Sequence, residues 1–181
     1  MTFTLDDAHR LADRAHEGQT DKAGLAYIHH PAAVSRALEP HGLQAQIAGM
    51  LHDVVEDTAL TPEDLLEAGV EPYTVEAIMA VTRNEGETYD DFVRRAAAHP
   101  LGRLVKRADI GHNTAEERLA VLGPEKAASL RRKYENALRI LDESESESES
   151  ESESESESES ESESESDRPA ESSPTNSRSE S

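Results

Sequence analysis

No cysteine occurs among the 181 residues, which excludes disulfides and thiolate chemistry. No apolar run approaches the roughly 20 residues of a membrane span. The N-terminal stretch MTFTLDDAHRLADRAHEGQ has charges where a signal peptide has its apolar core. A soluble, cytoplasmic protein is the expectation. Aromatic residues are only 3% of the chain, and neither sustained period-two alternation nor an Asn-Gly hairpin turn is present. That lack argues against strands. Basic residues are in the minority, 18 Lys and Arg against 39 Asp and Glu, for a net charge of −21. Binders of duplex nucleic acid or anionic membranes draw their affinity mainly from Lys and Arg, so neither partner is expected. A small phosphorylated substrate is still allowed, because a bound metal can invert the local field.

What is present divides in two. From Glu143 to Ser166 the chain alternates Glu and Ser strictly, and a polar stretch follows to Ser181. From Asp142 onward there are 16 acids and 2 arginines, a balance of −14 that leaves −7 for the rest. With no branched aliphatic or aromatic side chain after Leu141, nothing there can offset the entropy of ordering the backbone. Residues 1–141 are therefore read as one folded domain and 142–181 as a disordered, Glu-Ser-rich acidic tail. The tail reads as a solubilising spacer. A phosphorylatable or cation-binding appendage, or an acidic decoy for the phosphate site, are the other readings.

Within the folded part the apolar spacing is helical. Thr4 with Asp7 resembles a capping box ahead of Leu5, Ala8, Leu11, Ala12 and Ala15, and Gly18 ends that helix. Residues 19–29 read as a loop, and Pro31 as the first residue of a helix reaching Leu38. Leu43 to Val55 reads as one continuous apolar helix. Thr61-Pro62-Glu63-Asp64 starts another, followed by helices at 72–83, 89–98, 102–113 and 124–141. The expected fold class is all-α, a single helical domain.

Three segments carry chemistry. LHDVVEDT, residues 51–58, puts His52 and Asp53 one helical turn before Glu56 and Asp57. Such groups cost several kcal/mol to bury unless paired or metal-bound. A solvated helix end is the plain alternative. YIHHPAAV adds His29 and His30 ahead of a proline, and VKRADIGHN places Asp109 and Asn113 within one turn. Two imidazoles and two carboxylates with open positions suit Mn²⁺, Fe²⁺ or another divalent first-row ion better than closed structural zinc.

Taken in order, AHEGQ, YIHHPAAV, LHDVVEDT and VKRADIGHN resemble the HD hydrolase domain of the RelA/SpoT alarmone family and its stand-alone relatives, the small alarmone hydrolases. The resemblance runs from about Ala8 to Leu141, and VTRNEGETYDDF and RRKYENALRIL agree as well. It implies an HD-type helical domain hydrolysing a 3′-pyrophosphate of a guanosine alarmone such as ppGpp, with a divalent metal, Mn²⁺ above others. By position it implies His30, His52, Asp53 and Asp109 as metal ligands. Glu56 and Asp57 would polarise the attacking water, and Lys22, Asn113 and Tyr134 would contact the substrate. His29 is set aside as a ligand, and His16 and His112 are read as structural or supporting. Arg94-Arg95 and Arg131-Arg132-Lys133 read as solvated faces.

Two positions depart from that pattern. Asp21 stands where the family places a guanine-stacking Arg, and Ala26 replaces a Pro before Tyr27. A carboxylate cannot stack on a base and is expected to repel phosphate. Two other functions remain open: a phosphohydrolase for another nucleotide or phosphoester, and a non-catalytic nucleotide- or metal-binding module.

Overall fold

The computed structural model describes residues 2–21 and 24–165. Every regular element among them is helical, and β pairing is confined to an isolated bridge between Thr20 and Ala26. Contacts divide the chain into residues 1–145 and residues 146–181.

In the first unit, α1 (Leu5–Ala15) and α5 (Pro62–Ala68) both open with complete capping boxes, Thr4 with Asp7 and Thr61 with Asp64. Two of the orphan N–H groups at each helix start are thereby satisfied. α2 (His29–Ala37) begins two positions ahead of Pro31, so His30 lies inside its first turn rather than before it. A 3₁₀ turn at Glu39–His41 leads into α3 (Leu43–Leu51), which buries Ala45, Ile47, Ala48, Gly49, Met50 and Leu51. α3 packs against α1, α2, α6 (Pro72–Val81) and α8 (Pro100–Asn113), and the main core surrounds it. α7 (Tyr89–Ala98), α8 and α10 (Pro124–Glu165) share a second apolar cluster that includes Val93, Ile110 and Leu141.

The continuous helix expected over Leu43–Val55 is in fact two. α3 ends at Leu51, and α4 is a four-residue helix, Val54–Asp57. The cause is local. The His52 imidazole lies 2.9 Å from the Gly49 carbonyl oxygen, and in an uninterrupted helix that oxygen would accept from the Asp53 N–H. A short helix α9 (Glu116–Ala120) is a further element that apolar spacing does not reveal.

The first unit also makes contacts a few residues beyond Leu141. Asp142 and Glu145 pair with Arg107 at 2.7 and 3.2 Å, and α10 continues to Glu165. The expected disorder of 166–181 falls outside the described residues.

Among the glycines, Gly49 on α3 has the closest neighbours, on and just after α2. A Cβ built on Gly49 would lie 2.6 Å from Leu38 Cδ1 and 3.1 Å from Ser35 Cα. Ser35 Oγ donates to Gln46 O across the same seam at 2.9 Å. Gly49→Ala should therefore push the two helices apart and lower stability by about 1–3 kcal/mol, the usual cost of overpacking. Thermal denaturation of the variant checks this, and an unchanged melting temperature would show that the seam relaxes freely.

Candidate active site

α2, the α3–α4 break and α8 each deliver part of one buried cluster. His30 Nε2 lies 3.2 Å from His52 Nε2, 3.5 Å from Asp53 Oδ2 and 3.3 Å from Asp109 Oδ1. His52 Nε2 lies 3.0 Å from Asp53 Oδ2. His30, His52 and Asp109 are buried, and each turns one donor atom toward a common point where a metal ion could sit. The four residues expected to act as ligands are thus brought together. His29 is exposed and lies outside the cluster.

Hydrogen bonds behind the rings decide what the cluster can offer. A carbonyl can only accept, so His52 Nδ1 carries the proton in its bond to Gly49 O, and Nε2 faces inward. His30 Nδ1 lies 2.7 Å from His112 Nδ1. Burial, with the charges of His30 and Arg118, pushes His112 down to about 4, so it stays neutral and can accept from His30. When the two rings are neutral, each therefore turns an Nε2 lone pair inward, the tautomer that a metal-ligating imidazole needs. Asp109 is steadied on both oxygens, by Lys106 Nζ at 2.9 Å and by the Asn113 side-chain amide.

The convergence demands positive charge. Burial opposes ionisation of His52, but Asp53 and Asp109 overcome it and raise the ring to about 9. His30 is raised as well, against burial, by hydrogen bonds to Asp109 and Asp53. Asp53 and Asp109 are held well below the ordinary carboxylate range despite their burial, Asp53 mainly by His52 and Asp109 mainly by Lys106. A divalent cation answers the same demand, and the donor set of two imidazoles and two carboxylates fits one.

Above the cluster opens a cavity of about 480 Å³. Glu56 and Asp57 stand at its rim on α4 and are exposed, not buried as their spacing from His52 suggested. Glu56 accepts from the Arg83 backbone N–H at 2.8 Å. Tyr27 Oη lies 2.6 Å from Asp53 Oδ2 and 3.1 Å from Asp57 Oδ2, so one hydroxyl joins the cluster to the acidic rim. Asn113 and Tyr134 also line the cavity, whereas Lys22 lies outside the described residues. Tyr134 is pushed up to about 12, chiefly by burial.

Lys133 departs from the solvated-face reading and is joined at the cavity by cations to which the sequence assigns no role. Arg83, Lys106, Arg118 and Lys133 bring four cations to the wall of an acidic protein. Lys133 Nζ sits 3.8 Å from the centre of the Tyr89 ring, and the Tyr89 hydroxyl is buried with no hydrogen-bond partner among the described residues. Arg95 departs from the solvated-face reading. Its guanidinium donates to the carbonyls of Met79, Ala80 and Thr82 and to Glu87, closing the end of α6. Asp21 is not a bare charge either: Arg118 Nη1, from α9, lies 3.3 Å from its Oδ2. Hence the expected repulsion of phosphate by Asp21 is offset.

Two outcomes follow for the cluster. His52→Ala should abolish stoichiometric Mn²⁺ binding by calorimetry, while His29→Ala should leave it intact. The folded-state rise of His52 from 6.5 to about 9 stabilises the metal-free protein fully below pH 6.5, and that stabilisation is lost as pH rises through about 9. The melting temperature of metal-free protein should fall over this window, and saturating Mn²⁺ should remove the fall. A flat metal-free profile would contradict the assigned cluster charge.

No protein-family model matches the chain. It is 35% identical over 144 residues to a probable GTP pyrophosphokinase of Mycobacterium leprae, a match covering 74% of this chain and 18% of that protein. It is 46% identical over 63 residues to a guanosine-3′,5′-bis(diphosphate) 3′-pyrophosphohydrolase of Vibrio cholerae, covering 34% of this chain and 9% of that protein. The bifunctional (p)ppGpp synthase/hydrolase SpoT of Escherichia coli K12 is 44% identical over 63 residues, with the same coverage of 34% and 9%. The chain thus spans less than a fifth of the length of these curated relatives. A solved structure of a metazoan ortholog of SpoT, described as hydrolysing ppGpp, superposes with a TM-score of 0.64 at 23% identity, covering 76% of this chain and 84% of that one. The helical fold of this chain is the fold of that structure.

Proposed function

We propose that this chain is a metal-dependent phosphohydrolase that removes the 3′-pyrophosphate of a guanosine alarmone of the ppGpp type or of a closely related nucleotide. The observation that carries the reading is the convergence of His30, His52, Asp53 and Asp109 beneath a cavity walled by four cations and rimmed by Glu56 and Asp57. The curated relatives named as ppGpp hydrolases support the substrate class. The activity is assigned to residues 1–141, with 142–181 as an acidic spacer.

His30, His52, Asp53 and Asp109 would hold the ion, with Mn²⁺ favoured by the mixed nitrogen and oxygen donors. A divalent ion there would supply Lewis acidity toward a phosphate oxygen and lower the pKa of water. Glu56 stands at the open rim, where solvent arrives, with Oε2 committed to the Arg83 N–H. Its other oxygen is the base that takes the proton of the attacking water. Asp57 is oriented by Tyr27 and by Gln19, whose side-chain amide donates to the Asp57 carbonyl at 3.0 Å. Arg83 and Lys133 balance the charge of the departing pyrophosphate. The buried Tyr89 hydroxyl is a donor available to a phosphate oxygen. Asn113 holds Asp109 and reaches the substrate from the same wall.

The test is Glu56→Gln, which keeps shape and removes the base. Turnover of guanosine 3′-pyrophosphates should fall about 10²- to 10⁴-fold while Mn²⁺ and nucleotide binding survive. Wild-type protein that binds nucleotide yet releases neither phosphate nor pyrophosphate across a broad nucleotide panel would establish the non-catalytic binding module instead.

A further inference from the structure

A second cavity, of about 270 Å³, adjoins the first and is built differently. Its walls include Leu25, Val121, Leu122 and Leu130. Leu25 and Val121 are 58% and 59% exposed, so two large apolar side chains stand in solvent at its edge. Asp21, Asn113, Arg118 and Tyr134 line both cavities and form the wall between them. A ligand that fills both spaces would carry anionic groups at one end, toward the cations of the first cavity, and a largely apolar group at the other. A nucleotide has that form, and small-molecule sites are apolar pockets with a few fixed polar groups.

We propose that Arg118 is the base-contacting residue of this site, its guanidinium lying against the nucleobase from the wall between the two cavities. This rests on the nucleotide-hydrolase reading above. Arg118 reaches that wall from α9 and is held by Asp21, 97 residues earlier in the chain. Asp21 is itself fixed by a turn: its Oδ1 accepts from Leu25 N at 3.0 Å, and its backbone N–H donates to Leu25 O at 2.8 Å. The same turn therefore sets the Arg118 anchor and places Leu25 at the mouth of the apolar cavity. The Asp21 contact engages Nη1 of Arg118 at 3.3 Å, and an ion pair made through a guanidinium N–H does not itself use the faces on which a base would stack. A planar guanidinium stacks on any base, because every base offers a π face. Affinity from this contact is consequently base-tolerant, and guanine gains little over adenine from it.

The test uses metal-loaded full-length protein and calorimetric titration with guanosine 5′-diphosphate, adenosine 5′-diphosphate and inorganic pyrophosphate. Arg118→Ala should weaken both nucleotides by roughly 2- to 30-fold and pyrophosphate distinctly less, the smaller loss coming from the charge that offsets Asp21. Arg118→Lys keeps the charge and the Asp21 partner but not the plane, and should lose nearly as much nucleotide affinity as the alanine variant. Asp21→Asn preserves the acceptor for Leu25 N and loosens only the ion pair, so its loss should be smaller. In turnover of a guanosine 3′-pyrophosphate the Arg118 variants should raise KM with kcat largely retained. Equal weakening of pyrophosphate would make Arg118 a phosphate contact and overturn the proposal. So would unchanged nucleotide affinity in Arg118→Ala, which would leave the pair with Asp21 a purely structural link. Failure of the wild type to bind either nucleotide would overturn the nucleotide-hydrolase reading and this inference with it.

Discussion

The close seam between α2 and α3 is the constraint on which the site depends. Two helices can bring inward-facing imidazoles to 3.2 Å only if their backbones approach closely, and Gly49 against Ser35 provides that approach. Gly49 does a second thing. Its carbonyl takes the His52 imidazole, and the helix breaks there. The break leaves His52 and Asp53 between α3 and α4, and the acids of α4 that follow line the cavity. A single position without a side chain thus sets the spacing of the rings, the tautomer of one of them and the course of the chain beyond.

Electrostatics then follow from burial. Two carboxylates and two imidazoles sit in a region from which water is largely excluded, and like groups there raise each other's energy until a cation is shared among them. Protons on the histidines answer part of that demand, and Lys106 answers another part from behind Asp109. The other cations of the cavity, Arg83, Arg118 and Lys133, line the space above the cluster. In a chain with a net charge of −21 this concentration of positive groups is local, and it lies where an anionic ligand would have to enter.

Much of this was legible in sequence where the cause is local. Thr4 with Asp7 and Thr61 with Asp64 announce their helices because capping is a contact between residues three apart. α7 begins at Tyr89 and ends at Ala98 as its periodicity indicates. The preference for His30 over His29 came from motif resemblance, and the structure buries the one and exposes the other. Contacts between distant residues left no such trace. Tyr27 reaches Asp53 across 26 positions, His30 reaches His112 across 82, and Arg118 reaches Asp21 across 97. Spacing rules describe one helix at a time, so they also missed the interruption at His52, whose cause is a side chain competing for a backbone carbonyl.

Arg95 shows how far such reach extends. By gathering the carbonyls of Met79, Ala80 and Thr82 and clasping Glu87, it freezes the loop that follows α6. Glu87, pushed down to about 2 chiefly by that clasp, stays charged and in turn accepts from Asn84 N. The loop held in this way is the one whose Arg83 N–H orients Glu56. The orientation of a carboxylate at the cavity mouth is therefore inherited from a guanidinium on α7 that does not line the cavity. For anyone redesigning this protein, the loop between α6 and α7 is a tuning peg: re-cutting it would re-aim the carboxylate without touching the cluster beneath.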